Sequence, residues 1–86
     1  MLEWTPDYPT DPYSWIAPAG SVTLRIERGE YEGSAPVFDA FICSDPDDVG
    51  LHMGCWPSLE IAQRVLVEDG PGRLRRMAEA IERASA

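Results

Sequence analysis

The chain has 86 residues, 44% of them hydrophobic, which is enough for one domain with a modest core and argues against wholesale disorder. Seven basic against fifteen acidic residues leave a net charge of -8, which excludes direct binding to nucleic acid or an anionic membrane, because both require a cationic surface. No run approaches the roughly 20 apolar residues of a bilayer span.

Residues 1–15 form a proline- and aromatic-rich arm. Pro6, Pro9 and Pro12 recur at the three-residue repeat of a polyproline II helix, with Trp4, Tyr8, Tyr13 and Trp15 among and beside them. Proline has no amide to donate, so the arm cannot lie in the middle of a sheet. Such an arm either folds over the core of its own domain or binds a partner.

Residues 16–86 read as a single α+β domain. After the turn at Pro18-Ala19-Gly20, Val22, Leu24 and Ile26 alternate with Thr23, Arg25 and Glu27, the period of a half-buried strand. Trp15 to Ala17 can pair back onto it. A second strand, from about residue 36 to 44, carries Phe38, Ala40 and Ile42 on one face. Its other face carries Val37, Phe41 and Cys43, interrupted by Asp39, so both faces need cover. The acidic stretch Asp45-Pro46-Asp47-Asp48-Val49-Gly50 is a turn by composition, and residues 51–56 make the third strand.

Pro57 stops the sheet and Ser58 is a helix N-cap, with Glu60 opposing the helix dipole. Leu59, Ala62, Val65 and Leu66 form the stripe of a first helix, which Gly70-Pro71-Gly72 is expected to end. A second helix carries Leu74, Met77, Ala78, Ile81 and Ala84. The predicted fold is therefore α+β: a three-stranded antiparallel sheet in β-β-β-α-α order, with two C-terminal helices on one face and the arm in front. The opposite face, with Val37 and Phe41, calls for the arm, a second copy or a partner above it.

Few residues suggest covalent or metal chemistry. Cys43, His52 and Cys55 would be the ligands of a small metalloprotein, but they number three where a structural zinc needs four. On a regular strand His52 and Cys55 also point to opposite faces, and only a bulge would bring them together. Register and a reducing compartment both disfavour a Cys43–Cys55 disulfide. The acidic turn resembles the start of a calcium loop, yet Val49 and Trp56 stand where ligands belong. With one histidine, no nucleophile motif and no phosphate-binding loop, the sequence points to a non-enzymatic protein without a cofactor.

Charge is the most informative pattern. From residue 29 to 60 there are seven acids and no base, whereas residues 70–86 carry four arginines against two glutamates. Such poles steer a protein onto a basic surface and also permit head-to-tail or two-fold self-association, so a homodimer is one expectation. All seven basic residues are arginine, and lysine and asparagine are absent. Both missing residues use A-rich codons, which points to a GC-rich bacterium or one of its phages. Because the opening Met1-Leu2-Glu3-Trp4 lacks the features of a secretory leader, the bacterial cytoplasm is the expected compartment.

In size, acidity and element order across the whole chain, the sequence resembles small phage- or mobile-element-encoded inhibitors of host defence, of the anti-CRISPR type. That resemblance implies a protein that occupies a nucleic-acid-binding surface of a CRISPR effector or another basic protein or ribonucleoprotein complex. Glu30, Glu32, Asp45, Asp47 and Asp48 would then stand in for phosphates, with Tyr31, Trp56 and the arm aromatics as packing anchors. Two other readings share the physics or the residues. One is an immunity protein or antitoxin that neutralises a basic nuclease; the other is the metalloprotein built on Cys43, His52 and Cys55. A structural protein assembling through an uncovered sheet face is a fourth.

Overall fold

A computed structural model describes residues 2–45 and 48–85. Asp47, one of the acidic candidates, lies outside the described residues. Five strands form an antiparallel meander: β1 (Thr5–Pro6), β2 (Ser14–Ala19), β3 (Val22–Gly29), β4 (Val37–Cys43) and β5 (Leu51–Trp56). One helix, α1 (Leu59–Ser85), follows and packs on β3, β4 and β5. The α+β class, the antiparallel sheet and the C-terminal helical layer agree with the sequence reading. The expected three strands and two helices are corrected to five and one.

The two extra strands come from the N-terminal region. Thr5 pairs with Ile16 and Pro6 with Trp15, an arrangement that accommodates proline because β1 is an edge strand. The chain does not continue as a polyproline helix because Asp7 turns it back. Its Oδ1 accepts hydrogen bonds from the amides of Tyr8, Tyr13 and Ser14 at 3.0, 3.0 and 3.1 Å, a carboxylate serving as the hub of a turn. Although some desolvation works against it, these amides hold the Asp7 carboxyl below its ordinary value. Leu2, Trp4 and Trp15 pack against the core.

The single helix corrects the second expectation. Ser58 Oγ accepts from the amide of Ile61 at 3.2 Å, so the N-cap forms as read. The Gly70-Pro71-Gly72 stretch, however, lies inside α1 rather than ending it. Proline in a helix interior removes one hydrogen bond and costs about 3 kcal/mol. Here the turns before it are fixed by packing, with Ala62, Leu66 and Gly70 buried on the sheet, and tertiary contact outweighs local preference.

One face of the sheet and the first turns of α1 enclose the core of Ala17, Leu24, Ile26, Ala40, Met53, Ala62 and Leu66. Cross-strand partners follow the expected alternation: Leu24 opposes Ile42 and Ile26 opposes Ala40. Trp15 and Phe38 add a tilted ring contact with centroids 5.8 Å apart. Among the described residues no helix is long and apolar enough to cross a membrane.

Candidate functional site

The sheet face away from α1 is built by the alternate residues of β3, β4 and β5. Arg25 opposes Phe41, Phe41 opposes His52, Glu27 opposes Asp39, and Asp39 opposes Cys55. The pairing slips between Ala40 and Phe41: Met53 and Gly54 together span one position of β4, a bulge in β5. Gly54 has φ +142, a conformation only glycine adopts readily. A Cβ there would lie 2.9 Å from the Trp56 ring. The extra residue resets the alternation, so His52 and Cys55 share a face despite being three apart.

Phe41 is enclosed by charge and by another ring. The Arg25 guanidinium lies 4.7 Å from its centroid on one side, and the His52 ring, tilted 50°, lies 5.1 Å away. His52 Nε2 is 2.9 Å from Asp39 Oδ1. Arg25 Nε is 3.1 Å from Glu27 Oε1, and its two terminal nitrogens donate to the carbonyls of Asp48 and Val49. These last bonds fasten the end of the β4–β5 loop to the sheet. Beneath it Cys43 is fully buried. Gly50, with φ +85, sits so close that a Cβ would come within 2.6 Å of Cys43 Sγ. The expected apolar opening at Phe41 is therefore closed by the protein's own arginine, histidine and loop.

The residues proposed from sequence fall into separate groups. Glu30, Tyr31 and Glu32 lie in the β3–β4 loop and are exposed. Glu30 Oε1 is 3.2 Å from Arg28 Nε. Asp45 and Asp48 lie at the other end of β4, also exposed, some 20 Å away for a strand of this length. Asp48 is partly engaged within the loop, since its Oδ2 accepts from Ser44 Oγ at 3.0 Å. Trp56 does not join either group. It opposes Phe38 and packs half-buried against the core, on the helix side of the sheet.

Cys43 and Cys55 are both free, the first buried and the second exposed. Cys55 opposes Asp39, four residues before Cys43 on β4, which separates the thiols by about 13 Å. The bulge removes the parity objection to His52 and Cys55, but this spacing still keeps Cys43 from joining them. Among the described residues no group of three His, Cys, Asp or Glu side chains is placed to hold a metal.

Sequence reasoning missed the Arg25–Phe41–His52–Asp39 array. Its signals were present: the outward positions of β3, the lone Asp39 within an apolar strand, and Gly54 inside a strand pattern, a mark of a bulge. A second polar cluster ties down the first connection. Arg28 lies over the Tyr13 ring at 4.4 Å and reaches Asp11 Oδ1 at 3.0 Å. That bond to Asp11, opposed by slight desolvation and helped by Tyr13 and Glu30, raises the guanidinium's proton affinity. No family model, curated protein or solved structure matches this chain.

Proposed function

We propose that this protein is a non-catalytic binding protein that sets the acidic ends of its sheet against a basic surface of another macromolecule. The best fit is a nucleic-acid-binding protein or ribonucleoprotein complex, blocked in the manner of small phage-encoded inhibitors of host defence.

The observation that carries this reading is where the charge resides and what is left to compensate it. Residues 1–58 contain ten acidic residues and two arginines, whereas α1 has five of each, so the whole net charge of -8 belongs to the sheet. Both sheet arginines are engaged internally, Arg25 with Glu27 and the β4–β5 loop and Arg28 with Asp11 and Glu30. Two arginines set against ten acids leave most of the negative charge of residues 1–58 in place. Two anionic ends some 20 Å apart suit a groove that binds a phosphate backbone, which offers charges at regular intervals along its length.

The test is capture from a lysate of the bacterial host on immobilised wild-type protein, E30K/E32K and D45K/D48K. Steering by charge predicts a basic nucleic-acid-binding protein that is retained at physiological salt and released as salt rises. Either charge reversal should reduce its retention about tenfold, two like-charge contacts being introduced in each. Equal retention by wild type and both reversed variants overturns the reading.

A further inference from the structure

Beyond Arg73 and Leu74, none of the described residues packs beneath α1. Its buried residues end at Gly70, and residues 75–85 are all exposed. About 22 Å of helix follows Gly70, at 1.5 Å per residue. This overhang is nevertheless not polar all round. Val67, Pro71, Leu74, Ala78, Ile81 and Ser85 succeed one another at spacings of four, three, four, three and four, the seam of a coiled coil. Val67, Met77 and Ile81 are 45%, 40% and 66% exposed. At its start the seam runs into an apolar groove of about 260 Å³ between α1 and the sheet, lined by Leu2, Val22, Ile42, Pro71 and Leu74 among others. A helical extension without tertiary contacts is marginal in water, and a continuous apolar strip of this kind marks an interface.

We infer that the Leu74–Ser85 part of this strip pairs two copies of the chain as an antiparallel helix dimer about a two-fold axis. The charges beside the seam select the occupant. Arg75 follows Leu74 and Glu82 follows Ile81, so the two occupy the same flanking position one heptad apart. Antiparallel helices bring such positions face to face. The register that sets Arg75 against the partner subunit's Glu82 also sets Ala78 against the partner subunit's Ile81. By symmetry each contact occurs twice. Shifting the register by one heptad would oppose Arg75 to itself and Glu68 to the partner's Glu82, and a parallel pairing would bring no opposite charges together at these positions. Ala78 in the seam and Ala84 beside it are small, which lets the helices approach closely.

This interface is distinct from the acidic loops, so its failure and theirs are separately visible. The experiment is sedimentation equilibrium at high micromolar concentration on wild type, R75E, E82R and the double variant R75E/E82R. Helix content by circular dichroism checks that each variant is folded. Wild type should reach twice the 9.5 kDa chain mass. Either single reversal creates two like-charge contacts and should weaken the dimer about tenfold, and the double variant should recover it. A monomeric wild type overturns the inference, whether or not a foreign protein covers Ile81. So does a dimer indifferent to R75E, or one that the double variant fails to restore.

Discussion

The two faces of the sheet are closed by different means. Under α1, apolar side chains exclude water, with Ile26, Ala40 and Ala62 fully buried. On the opposite face, Phe41 lies between a guanidinium and an imidazole, and the end of a loop is clamped over Cys43. The first solution gains from area removed from water and involves no titrating group. The second depends on hydrogen bonds and ion pairs that solvent can compete for, each worth little alone. A domain of this size has few residues to spare for a second apolar layer, and polar closure needs only Arg25, His52 and one loop.

The contrast can be broken most forcefully from the helix side. Leu66→Ala removes the largest side chain that α1 buries and should cost about 2–5 kcal/mol, read as a lower denaturant midpoint with unchanged slope. On the other face, Arg25→Ala releases the carbonyls of Asp48 and Val49 and uncovers Phe41, at about 1–2 kcal/mol. Its sharper signature is chemical. Wild type should show one thiol, Cys55, that reacts quickly with a disulfide reagent, and one, Cys43, that is protected. Arg25→Ala should make Cys43 react quickly while the protein remains folded, and continued protection would show that the loop is held by something else.

The smallest effect concerns acid. Because the amides of Tyr8, Tyr13 and Ser14 lower the Asp7 carboxyl from its ordinary 3.8, that group stabilises the fold fully above this value. The contribution fades as pH falls through the lower, folded value. Asp7→Ala should therefore be less stable than wild type at pH 6, with the gap narrowing toward pH 2. The deficit of Leu66→Ala relative to wild type should stay the same over that range.

Much of the architecture was legible in the residues. The alternation of Val22, Leu24 and Ile26, the two-sided apolar pattern of β4 and the Ser58 cap all signal what they form. The failures have physical causes. Pro6, Pro9 and Pro12 suggest an extended arm because nothing local reveals that Asp7 will collect three amides from residues up to seven positions away. Gly70-Pro71-Gly72 reads as a helix end because propensity counts only the chain itself, not the sheet on which Ala62, Leu66 and Gly70 rest. Glu30 and Glu32 lie at one end of β4 and Asp45 and Asp48 at the other, as their positions in the chain imply, but the face that Trp56 joins was not legible. Its side depends on the bulge at Gly54, which resets the alternation two residues earlier in β5. The Arg25–Phe41–His52–Asp39 array depends on register across three strands, information no single segment contains.

The bulge in β5 has one more effect. An outer strand normally offers a flat row of free amides and carbonyls on which a stray chain can add itself, the first step toward fibrous deposits. Here Gly54 bends that row, and Arg73 on α1 occupies the carbonyl of Met53. On the other border β1 is only two residues long and contains Pro6, which has no amide to lend. Both margins of the sheet thus carry features that discourage lateral growth.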